Sequence, residues 1–259
     1  MSRARLPTFI IGGMPRSGTT YLCQVLDRHP DVYMAKPYIP EPKVFIGPEK
    51  DAAEYRAHYA ALFAEAKGRT ALGEKTSTYL ESDTAPERIR RVVPDVRFIF
   101  LVREPAERAY SNYLWSTKNG LETLSFEEAL RLEGSRPSPL PPEKSHARPF
   151  DYVWRGNYDR FAQRYYDVFG RDAVAFFVYE ELTASPQRVL EQIQRYIGVE
   201  PLPLHEEQVE AITAARDIGP PLDRKIASAL KRRLKPAVLR FEALTGLDLG
   251  AWGYDHLPD

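Results

Sequence analysis

The 259-residue chain is poor in the residues that build covalent or metal scaffolds. It has one cysteine, Cys23, so no disulfide can form within it and a disulfide-stapled secreted fold is excluded. Its five histidines are His29, His58, His146, His205 and His256, and no His/Cys/Asp group has metal-ligand spacing. Lys plus Arg and Asp plus Glu both total 36, so the net charge is zero. That balance gives no general attraction to nucleic acid or to an anionic membrane. No apolar run approaches the roughly 20 residues of a spanning helix. The basic start "MSRARLP" is followed only by "TFIIGGM", too short for a secretory signal. The expectation is a soluble bacterial protein of the cytoplasm, with Cys23 as a small buried thiol.

What is present is an alternation of short apolar strands with helical patterns. Strand signals fall at 8–12, 31–35, 70–74, 97–102 and 173–178, rich in β-branched and aromatic residues. Helical patterns lie between them at 19–28, 51–66, 84–93 and 185–198. Asp51, Thr84 and Ser185 stand as N-caps, and Gly198 as a stop. Near-continuous apolar strands separated by helices predict an α/β fold with a parallel sheet covered on both faces. Residues 134–149, "GSRPSPLPPEKSHARP", hold five prolines and read as a loop or flap within a single domain.

The chemistry begins at "FIIGGMPRSGTTYL" (9–22), a strand entering a glycine-containing turn and a helix start. From Gly13 the spacing is that of the nucleotide phosphate loop, G-x-x-x-x-G-K-[ST], with Thr19 in place of the lysine and Arg16 inside the loop. Backbone N–H groups at such a turn, with the hydroxyls of Ser17, Thr19 and Thr20 and close approach at Gly18, suit a phosphate. The strand of "RFIFLVREPAERAYSNY" ends in Arg103 where a P-loop NTPase places an aspartate that helps to hold magnesium. Arg103, with Ser111 in the following helix, suits a second phosphate group, or the arginine caps its own sheet edge. Glu41 and Lys43, in the proline-stiffened "KPYIPEPKVF", are either a general base with a cationic neighbour or a solvated loop pair. Lys75 of "GEKTSTYL" follows a strand and reaches toward the same mouth.

In this order "MPRSGTTYL", "EPKVF", "EKTSTYL", "FIFLVREPAERAYSNY", "RGNY" and "VYEELTASPQRVLEQIQRYIGV" resemble the sulfotransferases that use 3′-phosphoadenosine 5′-phosphosulfate (PAPS). The likeness is to the heparan-sulfate-type carbohydrate enzymes and their bacterial relatives, over about residues 8–200 and more loosely "LRFEALTGLDLGAW". It implies a P-loop-type three-layer fold with about five parallel strands. It also implies transfer of the sulfuryl group of PAPS to a hydroxyl, or secondarily an amine, of a carbohydrate or small-molecule acceptor, with release of PAP and no metal.

The resemblance assigns the 5′-phosphosulfate to Arg16, Ser17, Gly18, Thr19 and Thr20, and the 3′-phosphate to Arg103 and Ser111. Arg16 would meet the leaving oxygen, Glu41 would be the base, and Lys75 would stand near the sulfate and acceptor. Lys43 falls where the family has a histidine, which leaves its role at the acceptor open. Arg216, in "AARDIGPPLDRK" (214–225), would close over the nucleotide. The aromatics Trp115, Tyr152, Trp154, Tyr158, Tyr165 and Tyr166 read mostly as packing, with Tyr158 the candidate for acceptor contact. The basic run from Arg224 to Lys235 reads as a solvated helix face. Two rivals stand beside this reading: a P-loop kinase of small molecules, and a PAP- or nucleotide-binding module without catalysis.

Overall fold

The structure is a computed structural model that describes residues 5–213 and 219–257. Along the chain the elements are β1 (Phe9–Gly13), α1 (Thr19–Leu26), β2 (Val32–Met34), α2 (Ala52–Leu62), β3 (Ala71–Lys75), α3 (Ala85–Val92), β4 (Arg97–Val102), α4 (Pro105–Lys118), α5 (Phe126–Arg131), α6 (Tyr158–Phe169), β5 (Val174–Val178), α7 (Tyr179–Ala184), α8 (Pro186–Ile197), α9 (Glu206–Thr213) and α10 (Arg224–Thr245). They group into two compact units, one of Met1–Val102 with Tyr165–Arg216, the other of Arg103–Arg164 with Asp217–Asp259.

The first unit holds a five-stranded sheet in the order β2-β3-β1-β4-β5, parallel at every pairing. Its strands are apolar almost throughout because both faces are covered. From β4, Ile99 and Leu101 join Phe9, Ile11, Leu22, Cys23, Leu26, Val189 and Ile193 in a core with α1 and α8. The alternate residues Phe98 and Phe100 meet Tyr165 edge-on, at 5.0 and 4.7 Å between ring centres. This is the three-layer P-loop-type α/β architecture. Winding reverses at β1, which lies between β3 and β4, and open sheets of this kind bind ligands at the carboxyl ends of the strands flanking such a point. The register sets Ile11 beside Lys75, so the end of β3 stands next to the loop that leaves β1.

Local signals hold with adjustments. Asp51 and Glu54 form a reciprocal capping box at α2. Gly198 ends α8 in the left-handed region, at φ 82. Thr84 makes no capping bond; Ser82 Oγ accepts from the Ala85 amide at 3.1 Å instead. Ser185 is also without a side-chain cap, and Pro186 in the first turn needs none for its own nitrogen.

In the second unit, α4, α10 and a short 3-10 turn at Trp154–Gly156 pack together. A Cβ on Gly156 would lie 2.4 Å from Leu234 Cδ2, so any side chain there would require Leu234 to move. Two lysines of the basic run are not a solvated face. Lys231 and Lys235 are part-buried and donate to the carbonyls of Trp252 and Leu257, each at 2.7 Å. The 134–149 segment is not wholly irregular, because Pro142–Ala147 forms a 3-10 helix. Arg136 anchors it through two bonds to the buried Glu122, at 2.9 and 2.6 Å. Pro149 is held by Asn112 and Ser116, which donate to its carbonyl at 3.1 and 2.8 Å. No helix among the described residues is long and apolar enough to cross a membrane.

Candidate active site

The loop from β1 to α1 is shaped by close packing. Gly13 has φ 117, and a Cβ there would stand 2.2 Å from the Leu101 carbonyl oxygen, so no other residue fits. Gly18 opens α1 at φ 85 without a side-chain cap, leaving the first-turn amides to whatever the loop binds. Arg16 also adopts a left-handed backbone, at φ 76, which non-glycine residues rarely do, and its side chain is exposed. Ser17 is fully buried, and its Oγ has no hydrogen-bond partner among the described residues. Thr19 is buried, and Thr20 is half-buried at the first turn.

Lys75, at the end of β3, is 3% exposed, too little for an ammonium that relied on water. Its partners are Thr20 Oγ1 at 3.0 Å and Glu41 Oε1 at 2.9 Å. Ser77 adds two bonds to the same Glu41 oxygen, from its backbone N–H at 3.2 Å and its hydroxyl at 2.8 Å. All three groups meet Oε1, and Glu41 Oε2 takes part in none of these contacts. A hydroxyl of the phosphate loop, an ammonium and a carboxylate thus lie in line within one unit. In P-loop NTPases the loop Ser/Thr meets magnesium; here the equivalent hydroxyl accepts from an ammonium.

Beneath this line lies a second carboxylate, Glu74, with no exposed surface. Burial raises its pKa, and bonds from Tyr59, Thr76 and Tyr79 offset part of that effect. Tyr59 and Tyr79 are pushed well above the usual phenol range, first by burial and then by the charge of Glu74. Lys43 has φ 49 and is tied by its backbone, whose N–H donates to Thr76 Oγ1 at 3.1 Å.

The second unit holds Arg103, Ser111 and Tyr158. Arg103 precedes α4, 4.0 Å from Glu107, and Ser111 is buried two turns along that helix. Tyr158, expected at the acceptor, is instead fully buried. Its hydroxyl donates to the Arg103 carbonyl at 2.9 Å, and its ring meets Phe241 and Trp252, so its surface is spent on packing. Arg216 lies outside the described residues. His29 is structural: Nδ1 accepts from the Asp31 amide at 3.1 Å, so Nε2 carries the proton and donates to the Glu200 carbonyl at 2.9 Å. Among the described residues no group of three or more His, Cys, Asp or Glu side chains could hold a metal ion. Ser77 and Glu74 were missed from the sequence, although both stand in the "GEKTSTYL" segment that marked Lys75.

Comparison with known proteins agrees with this architecture. The crystal structure of a sulfotransferase from Alicyclobacillus acidocaldarius is 27% identical, with a TM-score of 0.76 over 96% of this chain and 99% of that one. Human heparan sulfate glucosamine 3-O-sulfotransferase 6 is 26% identical over 97% of this chain and 75% of its own length. Mouse bifunctional heparan sulfate N-deacetylase/N-sulfotransferase 3 is 27% identical over 81% of this chain, which spans only 24% of that larger protein. The sulfotransferase domain family matches residues 6–217, so this chain belongs to that family.

Proposed function

We propose that the chain transfers the sulfuryl group of PAPS to a hydroxyl, or secondarily an amine, of a carbohydrate or small-molecule acceptor, and releases PAP. The observation that carries this reading is the Thr20–Lys75–Glu41 line, which joins the phosphate loop to a carboxylate through one buried cation. The similar proteins named above support the acceptor range, since one is named for O-sulfation and another for N-sulfation.

In this reading the acceptor oxygen attacks sulfur in line with the bridging oxygen of PAPS. The new O–S bond forms as the old one breaks, and the leaving electron pair stays on PAP. The acceptor proton passes to Glu41 Oε2, the oxygen outside the contacts with Lys75 and Ser77. Negative charge grows on the bridging oxygen, so a cation there stabilises the transition state more than the ground state. Arg16 fills that role; it stays protonated and acts by charge and hydrogen bonding. The buried Ser17 hydroxyl, the Thr19 and Thr20 hydroxyls and the uncapped amides of α1 fit the 5′-phosphosulfate. Arg103 and Ser111 take the 3′-phosphate by family resemblance, and Lys43 lies toward the acceptor.

A P-loop kinase is the second reading, and the ammonium on Thr20 disfavours it. Thermal shift separates the two: PAP should stabilise the protein more than ATP with magnesium. The reverse order would favour the kinase. With labelled PAPS, label should appear on a heparosan oligosaccharide or on a member of a glycoside panel. PAP binding with no transfer to any acceptor would favour the non-catalytic module.

A further inference from the structure

The buried carboxylate of Glu74 has no part in the scheme above, yet both its oxygens are engaged. Thr76 Oγ1 and Tyr79 Oη donate to Oε1, each at 2.8 Å, and Tyr59 Oη donates to Oε2. A hydroxyl has one proton, and a carboxylate only accepts. With Glu74 ionised, the protons of Thr76 and Tyr79 therefore point inward and their lone pairs point outward. Those lone pairs receive the backbone N–H groups of Lys43 at 3.1 Å and Phe45 at 3.2 Å. Both amides belong to the loop that carries Glu41. Ser77, on the same segment as Thr76 and Tyr79, holds the Glu41 carboxylate itself. The loop is thus pinned to residues 74–79 at three points, and the direction of two of those bonds is set by one buried charge.

We propose that Glu74 is a positioning residue for sulfuryl transfer: through the hydroxyls of Thr76 and Tyr79 it fixes the backbone at Lys43 and Phe45, and so the place of Glu41. The proposal rests on the reading of Glu41 as the base. Its weight comes from geometry, because a small displacement of a reacting group lowers a rate far more than it lowers binding of the other substrate.

The test uses three changes at two positions in the full chain. Glu74→Met keeps the length of the side chain and removes both acceptors. Glu74→Gln keeps an acceptor at the Oε1 position when its nitrogen faces Tyr59, which then turns to accept. Amide hydrogen exchange at Lys43 and Phe45 is followed together with PAP affinity and with release of PAP from PAPS in the presence of a heparosan oligosaccharide.

In Glu74→Met, exchange at the two amides should rise by about tenfold or more. Its kcat should fall about tenfold while PAP affinity stays within about twofold. Glu74→Gln should restore most of both losses. In a Glu41→Gln background, Glu74→Met should cost no further turnover. Unchanged amide protection in folded Glu74→Met overturns the proposal, as does an equal loss of turnover with and without Glu41. If Glu41→Gln retains full turnover, the base assignment falls separately, and the amides alone then decide whether Glu74 holds the loop. Should Glu74→Met fail to fold, Thr76→Val removes the Lys43 link while keeping the side-chain shape. It should open the Lys43 amide and lower kcat only when Glu41 is present; a closed amide and full turnover overturn the proposal.

Discussion

Two proline-rich loops handle a carboxylate in opposite ways. Residues 36–45 carry Glu41 on the loop itself, with Lys75 and Ser77 gathered on one oxygen. Residues 134–149 carry no such group at their anchor, and are instead tied through Arg136 to Glu122 in the scaffold. Glu122 also accepts from Tyr152 and from the amides of Thr123 and Leu124. One carboxylate keeps an oxygen outside its internal contacts, and the other spends both on holding structure. Under the proposed reading, the number of engaged oxygens separates the carboxylate assigned as base from the one that holds a loop.

The largest expected effect attacks the first side of that contrast. Glu41→Gln should lower turnover by about 10²–10⁴-fold, the usual range for losing a general base. PAP affinity by calorimetry should be unchanged. Retained turnover would remove Glu41 as base.

Glu122→Gln attacks the other side, because it leaves Arg136 facing a neutral partner. It should lower unfolding stability by about 3 kcal/mol in urea titrations, as for other broken buried pairs, with kcat kept below the transition. A large kcat loss in still-folded protein would place the second loop in the chemistry. Burial pushes the Glu122 carboxyl up, but the Arg136, Leu124 and Tyr152 bonds outweigh it and hold the pKa at about 2. Its folded value lies below its unfolded one, near 4.3. The stabilisation is therefore present above about pH 4 and lost as pH falls toward 2, a loss that Glu122→Gln should remove from the acid-unfolding profile.

Arginines extend the comparison. Arg136 places two guanidinium nitrogens on Glu122, at 2.9 and 2.6 Å, whereas Arg103 stands 4.0 Å from the exposed Glu107. Arg103→Ala should weaken PAP by about tenfold or more, on the scale of a charge-assisted bond. Adenosine 5′-phosphosulfate, which lacks the 3′-phosphate, should be affected far less. Equal weakening of the two ligands would remove the 3′-phosphate assignment. The smallest effect belongs to Tyr158→Phe, which removes the bond to the Arg103 carbonyl. It should cost about 1 kcal/mol of stability and leave the acceptor KM unchanged. A raised KM would return Tyr158 to the acceptor side.

Most of the sheet was legible because its strands are buried on both faces and read as apolar runs; no strand end moved by more than one residue. The phosphate loop was legible because glycine at Gly13 answers a backbone contact that no other residue permits. What escaped depends on the direction of side chains. "EKTSTYL" yields a cation after a strand, but not that Ser77 turns toward Glu41 or that Glu74 turns inward. Spacing marks Tyr158 as one of several aromatics on a helix, and only packing shows that its hydroxyl is used inside the fold. The basic run misled for a similar reason: composition reports charge, not which lysine heads reach back to a carbonyl.

The buried position of Cys23 has a practical consequence. Its thiol is pushed up to about 12, chiefly by burial, and it is the chain's only cysteine. At neutral pH almost none of it is the reactive thiolate. A cysteine introduced at an exposed point of residues 134–149 would then be the one group that takes a maleimide dye or a spin label. The natural chain is therefore ready, without removal of any native thiol, for spectroscopic measurement of how that segment responds to nucleotide and acceptor.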